Sequence, residues 1–224
     1  MTLAALIFDF DGLIVDTEWP EYQAWAEIFT SHGAEFTPEE FAVSIGTRGA
    51  IDYMALLADK LDIVDPPLTS RELHDIHRAR NRELIADLPL LAGVLDHLEV
   101  AAELGLPCAI ASSSSRAWIE PHLHRHNIAH YFTVVSTWDG EHVGFPPKPA
   151  PDIYLNALRD LGIKPTDAIA FEDSRNGLIA AKAAGLRCVV VPNKLTASFD
   201  FSEADHVTTS LANFTLDVAR SFWR

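Results

Sequence analysis

A chain of 224 residues, 48% hydrophobic and 22% charged, holds enough apolar material for one ordinary domain or for a core carrying a smaller inserted one. Its formal charge of −15 excludes nucleic acid as a partner, whose phosphates would be repelled over most of the surface, but not a small anionic substrate, because a few cations in one cleft reverse the local potential. No stretch approaches the length needed to span a bilayer, the first apolar run lacks a basic flank, and no obligate protein partner is evident, so the expectation is a cytoplasmic protein without membrane contact.

Residues 3–8 are apolar and break abruptly into Asp9-Phe10-Asp11-Gly12, which predicts a buried strand ending in two carboxylates beside a turn. Side chains just past the carboxyl end of a parallel strand line the crevice where ligands bind. On an extended backbone Asp9 and Asp11 are expected to point the same way, and like charges sharing a small site call for a cation or a proton between them. From residue 17 to about 87 the pattern is helical. Tyr22, Trp25, Ala26, Ile28 and Phe29 recur at spacings near three and four, and Thr37 caps a helix opened by Pro38-Glu39-Glu40. Helices over about 49–61 and 70–86 follow, separated by the breaker Asp65-Pro66-Pro67.

After Pro89 the texture alternates. A helix over about 94–104 leads to a strand at 108–111, a helix from Trp118 to His126, a strand at 132–136 and a loop to Pro149. Then come a helix at 151–161, a strand at 168–171, a helix at 177–184, a strand at 188–191 and a short last strand near 205–208. Such alternation implies right-handed crossovers and an α/β, doubly wound parallel sheet built from residues 1–16 and 88–224, with an α-helical insertion over 17–87. Cys108 and Cys188 sit in apolar runs and read as small buried hydrophobes.

In such a sheet four strand ends converge, bringing Asp9 and Asp11, Ser112 after Ala111, Lys148 in its loop, and Glu172-Asp173 after Phe171 to one rim. Carboxylates with backbone oxygens suit octahedral Mg²⁺, a hydroxyl and amides suit phosphate oxygens, and a lysine supplies compensating charge: the parts needed for phosphoryl transfer. Singly, each has a plainer role. Asp9 or Asp11 caps the turn before Gly12; Ser112 N-caps a helix, leaving the amides of Ser113 and Ser114 free for an anion; Lys148 is a solvated loop lysine; Glu172-Asp173 caps the helix near Ser174. Capping alone rarely places four polar signals at four predicted strand ends.

The segments Asp9-Phe10-Asp11-Gly12-Leu13-Ile14-Val15-Asp16-Thr17-Glu18, Ala111-Ser112-Ser113-Ser114, Lys148-Pro149-Ala150-Pro151-Asp152-Ile153-Tyr154 and Phe171-Glu172-Asp173-Ser174-Arg175-Asn176-Gly177 resemble, in order and separation, the haloacid dehalogenase superfamily of aspartate-nucleophile phosphotransferases. The similar subgroup carries a helical cap and includes β-phosphoglucomutase, phosphoglycolate phosphatase and sugar-phosphate phosphatases. The resemblance implies a Rossmann-like core, Asp9 as nucleophile, and Asp11 as the acid that protonates the leaving alcohol and then activates water. It implies Mg²⁺ held by the Asp9 side chain, the Asp11 carbonyl, Asp173 and Glu172, with Ser112 and Lys148 on the transferring oxygens and the insertion as a lid.

The activity this implies is Mg²⁺-dependent hydrolysis of a small phosphorylated metabolite, a sugar or polyol phosphate. Dehalogenation needs no leaving-group acid, so Asp11 speaks against it. Mutases of the subgroup resemble one another in a histidine on the first cap helix, a position that falls on Glu21 here; Glu18 and Trp25 resemble the hydrolase pattern. A non-catalytic phosphate-binding protein would have little reason to keep every matched position filled. Arg48, after Gly46-Thr47 at a predicted helix start, either reaches a substrate phosphate or hydroxyl or is a surface arginine. Arg78, Arg80 and Arg82 read as a solvated helix face, and His122, His124 and His126 spread around their helix rather than converging on a metal.

Overall fold

β1 (Ala5–Phe8) is four residues long with every side chain buried, which places it in the middle of a sheet covered on both faces. In the computed structural model, which describes residues 3–63, 68–139 and 144–222, it does occupy the middle. The other strands are β2 (Cys108–Ser112), β3 (Phe132–Thr137), β4 (Ala168–Glu172), β5 (Arg187–Val190) and β6 (His206–Val207), in the order β3-β2-β1-β4-β5-β6, all parallel. Order reverses at β1, so the crevice at its carboxyl end is a topological switch point, the usual ligand position in an open α/β sheet.

Alternation along the strands divides the sheet into unlike faces. Leu6, Phe8, Ile110, Ile169 and Phe171 point to one side, where Phe8 and Phe171 stack at 4.9 Å. Against them lie α5 (Val94–Glu103), α6 (Arg116–Arg125) and α9 (Leu216–Ser221). Ala5, Ile7, Ala109, Ala111, Ala168 and Ala170 make the other face, and its small side chains admit α7 (Asp152–Leu161) and α8 (Arg175–Ala183) close to the backbone. Both cysteines are buried and free.

Between β1 and α5 lie α1 (Glu18–Ser31), α2 (Pro38–Ala42), α3 (Tyr53–Leu61) and α4 (Ser70–Ile85). They pack around an apolar cluster of their own that includes Trp25, Phe29, Phe36, Phe41, Leu57 and Leu73. Entry to and exit from this helical group run side by side: Val15 bridges Leu90 and Leu91 N–H donates to Ile14 O at 2.9 Å. Arg125 on α6 clamps the exit, donating to the Ile85 and Leu88 carbonyls at 2.9 and 3.1 Å.

Several predicted boundaries shift for local reasons. α2 is capped by Thr37 as expected and is five residues long, and α3 starts at Tyr53, not near 49, because the Asp52 side chain caps it through Ala55 N–H. Arg48 therefore lies on an exposed loop and not at a helix start. The breaker at 65–67 and part of the loop before Pro149 lie outside the described residues. No helix among the described residues is long and apolar enough to cross a membrane.

Gly93, with φ +87°, enters α5 where a Cβ would run into the backbone of Leu211 and Ala212. Gly93→Ala is expected to lower the unfolding free energy by roughly 2–3 kcal/mol, combining left-handed strain with overpacking. In urea titration this appears as a lower midpoint at constant slope, and an unmoved midpoint contradicts the close approach.

Candidate active site

Asp9 is the first residue past β1, and its N–H donates to Phe171 O at 2.9 Å, tying the end of β1 to β4. Its carboxylate is 4% exposed and meets Lys148, itself 1% exposed, at 2.6 Å. Lys148 Nζ also lies 2.7 Å from Glu172 Oε1, so the solvated-lysine alternative is wrong: one ammonium is buried between two carboxylates. Tyr154 on α7 donates to the same Glu172 oxygen at 2.5 Å, and the Ser174 hydroxyl donates to the other at 3.1 Å. Gly177 on α8 is glycine because a Cβ would fall on the Glu172 carboxylate. Burial pushes the Asp9 carboxyl up, to about 8, against the pull of Lys148 and with Glu172 and Asp11 adding to the rise. For Lys148 burial acts downward, but Asp9 and Glu172 outweigh it and hold the ammonium above its usual range.

Asp173 is fully buried. Its Oδ2 accepts from Asn193 Nδ2 at 2.7 Å, and Oδ1 has no hydrogen-bond partner. The Asn193 oxygen accepts from Leu195 N–H at 2.8 Å, which fixes the end of the amide that faces Asp173. Ligand atoms of Asp9, Glu172 and Asp173 all lie within 4.8 Å of one another. Burial, then Asp9 and Glu172, push the Asp173 carboxyl well up. Three hard oxygen donors with one ammonium between them and an orphaned carboxylate oxygen fit a divalent ion such as Mg²⁺. Gly12, at φ +74°, leaves room that a Cβ would take from the Asp173 carboxylate.

The Asp11 carboxylate lies outside that triad but lines the same cavity as Asp9. It receives Thr17 Oγ1 at 2.7 Å, Ser114 Oγ at 2.5 Å and Trp118 Nε1 at 2.8 Å. In the serine loop after β2, Ser115 and not Ser112 caps the next helix, accepting from Trp118 N–H. Ser112 Oγ accepts from Ser114 N–H at 3.0 Å, so that amide is occupied rather than free. Ser174, not Glu172-Asp173, caps α8.

A cavity of about 530 Å³ opens above these groups. Asp9, Asp11 and Ser112 to Ser115 line it from the sheet; Glu18, Glu21, Arg48, Tyr53, His77, Arg78 and Asn81 line it from the helical group. Glu18 and Arg48, expected at the substrate, do face it. Arg78, expected on a solvated face, also lines it, although its guanidinium is exposed and 2.5 Å from Asp75; Arg80 pairs outward with Glu27 and Glu83. Arg48 lies 3.6 Å over the Trp138 ring. Burial, with Glu21 and Asp173 adding, pushes the Glu18 carboxyl well up, and burial with Asp11 beside it pushes Glu21 to about 7. Burial pulls His77 down to about 4, leaving a neutral ring stacked on Trp25 at 4.0 Å.

Thr17, Trp118, Tyr154, Asn193, His77 and Asn81 carry no motif as single residues. Only Tyr154 and Thr17 fall inside the matched segments, and neither shows a role until the fold brings its partner to it.

The model of the haloacid dehalogenase-like hydrolase family matches residues 6–191. YhcW of Bacillus subtilis (strain 168) is 39% identical over 215 residues, covering 96% of this chain and 94% of that protein. The fructose-1-phosphate phosphatase YqaB of Escherichia coli (strain K12) is 31% identical over 188 residues, 84% of this chain and 96% of its own. Among solved structures, a mutant of CbbY from Rhodobacter sphaeroides in complex with xylulose-(1,5)bisphosphate superposes with a TM-score of 0.76 at 32% identity, covering 94% of this chain and 96% of that one. The chain therefore belongs to the haloacid dehalogenase-like hydrolases. Within them it is a phosphatase of the β-phosphoglucomutase-like subgroup.

A carboxyl that protonates more readily folded than unfolded takes up a proton on folding, so its contribution to stability falls as pH rises from the ordinary carboxylate range through the raised value. For Glu21 that window ends near 7. Glu21→Gln removes the fall, so its urea midpoint should gain on wild type between about pH 5 and about pH 8. A difference that stays constant with pH contradicts the buried carboxyl.

Proposed function

We propose that the protein is a Mg²⁺-dependent phosphomonoester hydrolase that acts on a small sugar or polyol phosphate through an aspartyl-phosphate intermediate. The observation that carries this reading is the Asp9 carboxylate, held by the Lys148 ammonium at 2.6 Å beside the orphaned Asp173 oxygen and open to the cavity. Mg²⁺ held by Asp9, Asp173, Glu172 and the Asp11 carbonyl would neutralise the crowded carboxylates and the charge on the phosphoryl oxygens.

An Asp9 oxygen attacks phosphorus while the bond to the leaving oxygen breaks, and Asp11 gives that oxygen its proton. Asp11, now a carboxylate, then takes a proton from water as the water oxygen attacks phosphorus and frees Asp9. Thr17, Ser114 and Trp118 hold the Asp11 carboxyl at one setting through both half-reactions. The Ser112 hydroxyl, the Ser113 N–H and Lys148 hold the transferring oxygens. Residues 17–87 serve as a cap domain over the core, excluding water and presenting Glu18 and Arg48 to the rest of the substrate.

Phosphate release from p-nitrophenyl phosphate and alkyl phosphates, with Mg²⁺ and with EDTA, tests the reading. Turnover should require the metal and fall to background in Asp9→Asn. Asp11→Asn should lose about 10²–10⁴-fold on an alkyl phosphate. Unimpaired turnover of the alkyl ester by that variant contradicts the acid role, and metal-independent turnover contradicts the whole scheme.

A further inference from the structure

Of the groups lining the cavity from the helices, Glu21 and Asn81 have no part in phosphoryl transfer. The Glu21 carboxylate pairs with no cation among the described residues; burial and Asp11 raise it, and Glu18 lies close enough to be raised by it in turn. Asn81 is 6% exposed, and its Oδ1 is buried without a hydrogen-bond partner. His77 adds no positive charge, since its ring is neutral, stacked on Trp25, and bonded through Nε2 to the Glu21 carbonyl at 3.4 Å. The two arginines at the cavity are exposed at its rim, Arg78 paired with Asp75 and Arg48 stacked over Trp138. The helical lining thus has an acidic interior that offers acceptors, and its cations lie only at the rim.

We propose that Glu21 and Asn81 form the subsite for the non-reacting end of the substrate, which takes the hydroxyl donors of a polyol chain and refuses a second phosphate. This deepens the phosphatase reading and rests on it. A hydroxyl donates to a carboxylate or an amide oxygen and satisfies both. A second phosphate brings no donor to spare and sets a dianion beside buried carboxyl groups. The volume of about 530 Å³ lies within the range of small-molecule sites. The preferred substrate class is therefore the monophosphate of a polyhydroxylated chain, as opposed to a sugar bisphosphate of the kind seen in the CbbY complex.

The test compares kcat/KM, by phosphate release with Mg²⁺, for a hexitol 6-phosphate and a ketohexose 1,6-bisphosphate. Wild type should favour the monophosphate by tenfold or more, and Asn81→Leu should raise KM for it more than it lowers kcat. Glu21→Lys should bring the ratio to unity or reverse it. Glu21→Gln, which keeps an acceptor and removes the charge, should shift it several-fold the same way and carries the test should the lysine variant not fold. Wild-type preference for the bisphosphate, or a ratio that neither folded Glu21 variant moves, overturns the subsite. Hydrolysis of p-nitrophenyl phosphate without monophosphate preference overturns the subsite alone. No hydrolysis of any of the three esters overturns the phosphatase reading and the subsite with it.

Discussion

Lys148 enters the molecule's interior with its charge, and the site is built around what that requires. An isolated ammonium in an apolar interior loses several kcal/mol of solvation, which it recovers only through close, well-aligned partners. Asp9 and Glu172 supply them at 2.6 and 2.7 Å from positions 139 and 24 residues away, so the end of β1, the loop before α7 and the end of β4 are fixed to one point. Tyr154 donates to one Glu172 oxygen and Ser174 to the other, and Gly177 leaves the volume that its carboxylate occupies. The charge account does not close without something further. Asp9, Glu172 and Asp173 present three carboxyls to one ammonium, and an oxygen of Asp173 remains unpaired. A divalent cation would complete the balance with the ligand type it prefers.

The helical group meets this centre through a different kind of contact. Its own interior is apolar and aromatic, but the segment over the serine loop and Lys148 touches the core through polar bonds: Ser113 to the Gly46 carbonyl at 3.1 Å, Thr47 to the Lys148 carbonyl at 2.5 Å, and Asn176 to the Ile45 carbonyl at 2.8 Å. Hydrogen bonds exchanged with water contribute only about 0.5–1.5 kcal/mol each, so such a seam separates at far lower cost than either apolar core. Leu195, two residues past Asn193, and Phe199 are apolar exceptions, core side chains packed against the helical cluster. Leu195 links the position of the helices to the residue that orients Asp173.

The succession of strands, the helical insertion and the acidic strand ends were legible because they rest on local signals: apolar runs of four to six residues, a period near 3.6, and carboxylates placed where apolar runs stop. Asp9, Asp11, Ser112, Lys148, Glu172 and Asp173 could be found for that reason. Partner geometry was not legible. Asp11 was legible as a carboxylate at a strand end, but its donors Thr17, Ser114 and Trp118 come from three separate segments. Ser112 and Ser115 are equally good caps by residue type, and the three-dimensional path of the loop decides between them. Trp118, Asn193 and Asn81 look like ordinary helix and loop residues, since what gives each a role is a group 107, 20 or more residues away, or a cavity wall assembled from several elements.

Two aspartates separated by one residue end in different circumstances, and the proposed scheme divides the chemistry between them on that basis. Asp9 lies against an ammonium and two further carboxyls, so its charge is set by ions. Asp11 is held by three neutral donors from α6, the serine loop and the start of α1, so its position is set by hydrogen bonds and it faces the cavity from which a leaving oxygen or a water would come. In the proposed reaction this contrast puts an attacking oxygen on Asp9 and, one residue along, a proton-carrying carboxyl on Asp11 whose hydrogen bonds come from three separate segments.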